Sequence, residues 1–235
     1  MGEIAVAAQR LVDDYVTAYF PESDTVVVAG STASGACTAS SDIDVLVLGP
    51  AAMFPGSSTS RAATDEHGGR LVETFAYTPE AYRWWAEREL AAHRPVILTM
   101  LVEGVPLRRG PTYDGLRSWA ADLLAVGPQI DPHALDLRRY ALSAQLDDLA
   151  DAADPTERSV LLTAVFQSLA AFLLLSNAQW LGTDKWLVRR LREWDPHVAE
   201  LLSAALLAAD TAAMLSLAKD LLQPHGGTLQ AGFVR

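Results

Sequence analysis

The chain has 235 residues, half of them hydrophobic, enough for one large domain or two smaller ones with real cores. Its 29 acids against 18 Lys and Arg leave a formal charge of −11, a field that repels polyanions and argues against a nucleic-acid partner. A single cysteine, Cys37, excludes an intrachain disulfide, and no Cys or His cluster offers a zinc-type ligand set, so any metal must be held by oxygen.

Apolar residues at Ile4, Ala7, Ala8, Leu11, Val12, Tyr15 and Val16 predict a helix over residues 3–20. The acids Glu3, Asp13 and Asp14 do not suit a signal peptide, and no uninterrupted run of eighteen apolar residues follows, so a cytoplasmic protein without a membrane partner is expected. "TVVVAG" (25–30), "DIDVLVLG" (42–49) and "RLVETFAYT" (70–78) are short, β-branched and bounded by turn residues, which predicts strands of a covered sheet. Residues 49–69, between the second and third of these, are rich in Gly, Ser and Pro and read as a mobile loop. Thr78 and Pro79 form an N-cap and a first helical residue, and "PEAYRWWAERELAAHR" is the helix they start. From about residue 114 the chain is rich in Ala and Leu at helical spacing, with breaks at "VGPQIDP", "DAADPTE", "WLGTDK", "WDPH" and "QPHGG". Those breaks outline four or five helices of a bundle. The expected fold is therefore α+β: a mixed sheet flanked by helices over residues 1–115, then an all-helical domain over residues 116–235.

The informative stretch is "VVVAGSTASGACTASSDIDVLVLGP" (26–50). Residues two apart in a strand point the same way, so Asp42 and Asp44 project side by side while Ile43, Val45 and Val47 face the other side. Two carboxylates that close repel unless a cation lies between them, and Mg²⁺, a hard ion that takes one or two carboxylates and completes its shell with water and phosphate oxygens, is the natural partner. Upstream, Gly30 ends a strand and permits close backbone approach, Ser31 offers a hydroxyl and an amide to phosphate oxygens, and Ser41 directly precedes the aspartates. No Gly-Lys-Ser or Gly-Lys-Thr follows, so this is not a Walker loop.

An apolar strand, Gly-Ser, ten residues, then Ser-Asp-Ile-Asp and more strand: this pattern resembles the DNA polymerase β-like nucleotidyltransferase superfamily. The signature is carried by Gly30, Ser31, Asp42 and Asp44 and covers roughly residues 25–50. A third acidic strand followed by a helical C-terminal half is similar to the branch that nucleotidylates aminoglycoside and lincosamide antibiotics. The resemblance implies Mg²⁺-dependent transfer of a nucleoside monophosphate, AMP from ATP in the first instance, to a hydroxyl of a small acceptor, with pyrophosphate released. It also implies a third carboxylate, as metal ligand or general base. Glu73 in "RLVETFAYT" takes that place, and Asp65 and Glu66 of the neighbouring segment are lesser candidates.

In the helical half, Lys185, Arg189 and Arg192 stand at i, i+4 and i+7 on one helical face and are candidates for clamping a triphosphate, against the plainer reading of a solvated basic stripe. Asp148 lies on a face with Leu137, Ala141 and Ala144 and is a candidate for binding a cationic acceptor. Trp84, Trp85, Trp180 and Trp186 are available for stacking, although tryptophans at helical spacing more often serve a core. Two other functions compete with small-molecule transfer. One is a regulatory or antitoxin-like nucleotidyltransferase acting on a protein or an RNA end; the other is an inactive nucleotide-binding relative.

Overall fold

The computed structural model describes residues 5–38 and 40–234, and the chain divides into two compact units, Met1–Val126 and Gly127–Arg235. Glu3 and Ile4, counted in the expected first helix, lie outside the described residues.

In the first unit the β-branched runs become strands because each has an apolar face to bury. Helix α1 (Val6–Tyr19) leads into β1 (Thr25–Val28), the short helix α2 (Gly30–Ala33) and β2 (Ile43–Leu48). Strands β3 (Ser60–His67) and β4 (Arg70–Tyr77) follow, then helices α3 (Pro79–Ala91) and α4 (Val96–Glu103), β5 (Val105–Arg108) and α5 (Tyr113–Val126). The five strands form one mixed sheet in the order β3-β4-β2-β1-β5, with β2 and β4 parallel and the other neighbours antiparallel. Alternation splits the sheet's side chains between two cores. Val26, Val28, Ile43, Val45, Val47, Val72 and Ala76 pack against Val12, Tyr15 and Val16 of α1. Val27, Leu46, Leu48 and Tyr77 pack against α3, α4 and α5. Thr78 caps α3 as expected, its hydroxyl accepting the Ala81 N–H at 3.2 Å with Pro79 in the first turn.

The segment read as a mobile loop contains β3. The strand runs "SRAATDEH", whose exposed edge position demands no apolar stripe, so periodicity misses it. Its turn is legible in retrospect: Gly68 and Gly69, both at positive φ (+56° and +73°), join His67 to its register partner Arg70 in a two-residue hairpin. The hairpin is locked from behind by Tyr15, whose hydroxyl donates to Asp65 at 2.6 Å and accepts from Thr74 at 2.9 Å.

The second unit holds α6 (Pro132–Asp151), α7 (Pro155–Ser176), α8 (Lys185–Trp194), α9 (Pro196–Leu207) and α10 (Thr211–Leu222). Three start at Asp-Pro, where Asp131, Asp154 and Asp195 accept first-turn N–H groups at 2.8–3.1 Å while proline sets the first helical φ. Helix α7 is long and apolar enough to cross a membrane by length and composition, yet half of that stretch is buried and Leu162, Val165, Leu169 and Leu173 fill the unit's core. From Tyr113 onward six helices are described rather than four or five. The extra break falls at Ala208–Asp210, where Ala209 turns to φ +50° and Asp210 caps α10 through the Ala213 N–H at 2.9 Å.

Glu89 of α3 joins two elements of the first unit by accepting the Ile97 N–H at 2.9 Å in the first turn of α4. Burial pushes its carboxyl up to about 7, against the opposing pull of the Ile97 and Val96 N–H groups. From an ordinary value of 4.5, the folded state then holds more protons than the unfolded chain between pH 4.5 and 7, so this group's contribution to stability is lost as pH rises through that window. Glu89→Gln, which keeps an acceptor for Ile97, should remove that part of the pH dependence. Urea midpoints at pH 5 and pH 8 will differ less in the variant than in wild type; an unchanged difference contradicts the assignment.

Candidate active site

The site is built on the parallel pair β2–β4, where Asp44 and Glu73 are direct cross-strand partners. Asp42 lies two residues before Asp44, just ahead of the first paired residue Ile43, and alternation places it beside Asp44 on the same face. All three carboxylates are half-buried, and each offers an oxygen within 4.8 Å of the others. Asp44 shares its face with Leu46 and Leu48, so the acids continue the α3–α5 face of the sheet where its apolar cover ends.

Gly30 opens α2 at φ +61°, and a Cβ at this position would stand 1.8 Å from Asp44 Oδ2. The sequence suggests a glycine kept bare for a ligand; in the structure the volume it leaves holds the Asp44 carboxylate. The Ala29 N–H, which donates to the Asp44 carbonyl at 2.9 Å, pins the same junction. Ser31 and Thr32 are buried next to it, and the Thr32 hydroxyl has no hydrogen-bond partner among the described residues.

Electrostatics follow from this crowding. Burial raises the Glu73 carboxyl above its ordinary value, the charge of Asp42 adds to the rise, and a hydrogen bond with Asp44 acts the other way. Three half-exposed carboxylate donors with no thiolate or imidazole among them are the donor set of a hard divalent cation.

Ser41 accepts the Thr38 N–H on its hydroxyl at 2.9 Å, with the Thr38 hydroxyl 3.0 Å from the same oxygen. Its carbonyl accepts from Arg70 at 2.9 Å, a contact the sequence does not suggest. Asp65 is turned to α1 by its bond with Tyr15 and is not part of the cluster. Trp84 and Trp85 are exposed on α3, with the Arg88 guanidinium 4.6 Å and 5.8 Å from their ring centres. Trp85 donates to Ser60, whose register partner Tyr77 lies four residues beyond Glu73, about 13 Å along the strand, so this pair is not gathered at the acids.

Lys185, Arg189 and Asp148 belong to the second unit. Lys185 is exposed at the start of α8, Arg189 lies 4.5 Å over the Trp186 ring, and Asp148 is exposed on α6. A recess of about 400 Å³ in this unit is lined by Arg138, Gln167, Thr183 and Asp184 among others, and none of the three candidates lines it.

Residues 12–79 match the family model of the nucleotidyltransferase domain, a span that contains Gly30, Ser31, Asp42, Asp44 and Glu73. The chain carries a nucleotidyltransferase domain and is an enzyme of that class. A solved structure of a nucleotidyltransferase-like protein from Exiguobacterium sibiricum 255-15 is similar over 92% of this chain and 75% of that one, at 14% identity and a TM-score of 0.47. No curated protein matches the chain.

Gly30→Ala tests the packing at this junction. The left-handed φ alone costs about 1–2 kcal/mol, a few degrees of Tm for a chain of this size. The added Cβ must also displace the Asp44 carboxylate. Nucleotidyl transfer should therefore fall by more than about 100-fold while the protein still unfolds cooperatively. Near wild-type turnover in a folded Gly30→Ala protein contradicts the role given to this glycine.

Proposed function

We propose that the chain transfers a nucleoside monophosphate from an NTP, ATP in the first instance, to a hydroxyl of a small neutral or cationic acceptor of the amino-sugar kind. The observation that carries this reading is the convergence of Asp42, Asp44 and Glu73 within 4.8 Å inside the nucleotidyltransferase domain. Asp42 and Asp44 hold a divalent cation, Mg²⁺ by the hardness of the donors, with Glu73 beside them. When bound, that ion supplies Lewis-acid polarisation of the α-phosphoryl group and neutralises charge on the leaving pyrophosphate.

The chain's own residues do the rest. Glu73, held above its ordinary value by burial and by Asp42, accepts the proton of the acceptor hydroxyl. The acceptor oxygen bonds to the α-phosphorus as the bond to the pyrophosphate oxygen breaks, so pyrophosphate leaves with the electron pair. Gly30, Ser31 and Ser41 lie along the loop that meets the nucleotide, and Lys185 and Arg189 are assigned to the triphosphate. Asp148 is assigned to a cationic acceptor; a chain of net charge −11 suits such an acceptor better than an RNA end. The need for cellular NTP favours action in the cytoplasm.

Two measurements test this. Incubation with each NTP, Mg²⁺ and a panel of amino-sugars, followed by mass analysis, should give an acceptor heavier by one nucleoside monophosphate; modification of a protein or RNA acceptor alone overturns the acceptor class. Asp42→Asn and Asp44→Asn keep side-chain volume and should each abolish transfer, whereas Glu73→Gln should lower kcat by roughly 10²–10⁴-fold with NTP affinity nearly unchanged. A parallel loss of metal and NTP affinity in Glu73→Gln would make that residue a ligand instead.

A further inference from the structure

We propose that Arg70 is a positioning residue for Asp42, acting through the backbone of Ser41. The inference rests on the reading of Asp42 and Asp44 as metal ligands. The three carboxylates are not held equally. Asp44 and Glu73 face each other inside the parallel ladder, and Asp44 is pinned further by the Ala29 N–H. Asp42 precedes the first ladder pair, Ile43 with Val72, and sits at the end of the segment that leaves α2 at Ala33. Three carboxylates crowd within 4.8 Å of one another, and Asp42 is the one whose backbone no ladder pair holds.

The turn ahead of Asp42 is shaped from within by Thr38 and Ser41, whose N–H to hydroxyl and hydroxyl to hydroxyl bonds travel with the turn and do not fix it to the sheet. Arg70 does fix it. Its Nη2 donates to the Ser41 carbonyl at 2.9 Å across 29 residues, from a partly buried position. The register explains the reach: Ile43 pairs with Val72, so two residues further back along both strands Ser41 comes alongside Arg70. Arg70 has the parity of Val72 and Thr74, on the α1 side of the sheet, and therefore holds the peptide that leads into Asp42 without entering the acid cluster. The hairpin Gly68-Gly69 places Arg70 at the first position of β4, so the tight turn brings the guanidinium to the end of the strand where the acids lie. A planar fork held by the hairpin restrains a carbonyl better than a flexible ammonium does.

The test uses the full chain and the metal alone. Mn²⁺ affinity is measured by titration calorimetry on wild type, Arg70→Met and Arg70→Lys, with hydrogen exchange of residues 40–42 as a readout independent of metal. Removing a partner that orients a ligand weakens metal binding by roughly 10- to 100-fold. Arg70→Met should show that loss and faster exchange at 40–42, Arg70→Lys a smaller one, and kcat at saturating Mg²⁺ should stay close to wild type because metal pulls Asp42 back. Wild-type Mn²⁺ affinity in a folded Arg70→Met protein overturns the role of Arg70. So does a loss of kcat and thermal stability with metal affinity intact, the mark of a purely structural contact. Absence of Mn²⁺ binding in wild type itself overturns the metal reading and this inference with it.

Discussion

The parallel register of β2 and β4 forces Asp44 and Glu73 into direct opposition, and Asp42 joins them from the residue before the ladder. Two unit charges 4.8 Å apart repel by about 3 kcal/mol at an effective dielectric of roughly 20, less what solvent screens from these half-exposed groups. The sheet bears this repulsion because the pairing is fixed elsewhere. Ile43, Val45 and Val47 are buried against α1 and Leu46 and Leu48 against the opposite helices, so a slip of one residue would expose both cores at once. A proton on Glu73 or a cation among the three would relieve the crowding, and three oxygen donors are the set that a hard, doubly charged ion takes.

The remaining features of the first unit make sense as supports for that register. Tyr15 bridges Asp65 and Thr74, tying the edge hairpin to the sheet from the α1 side, and burial together with Asp65 lifts its phenol to about 12, so it stays a neutral donor across the working range. Gly30 yields the volume that Asp44 fills, and Glu89 joins α3 to α4 across the cover of the other face. Gly30 acts by direct contact with Asp44, whereas Tyr15 and Glu89 hold elements of the sheet and of its cover.

Much of this was legible in the sequence because it rests on local rules. The buried strands announce themselves by β-branched runs, α3 by Thr78-Pro79, and three helices of the second unit by Asp-Pro. The acids stand out because carboxylates are foreign to an apolar strand. What escaped has equally physical reasons. Strand β3 lies at the sheet edge, carries no apolar stripe and is marked only by the Gly68-Gly69 turn at its end. The α9–α10 break uses neither Gly nor Pro; Ala209 adopts φ +50° and only Asp210 hints at a new start. Arg70 was invisible because its partner is a carbonyl 29 residues away, and no pattern of side chains encodes a backbone acceptor.

On the proposed reading, Asp42, Asp44 and Glu73 gather around one divalent cation to which an NTP binds. Anomalous diffraction from crystals grown with Mn²⁺ and a non-hydrolysable ATP analogue tests it most directly. An anomalous peak is expected within about 2.3 Å of Asp42 and Asp44 oxygens, with the nucleotide bound beside it. A peak elsewhere in the chain, or nucleotide bound with the three carboxylates free of metal, would contradict it.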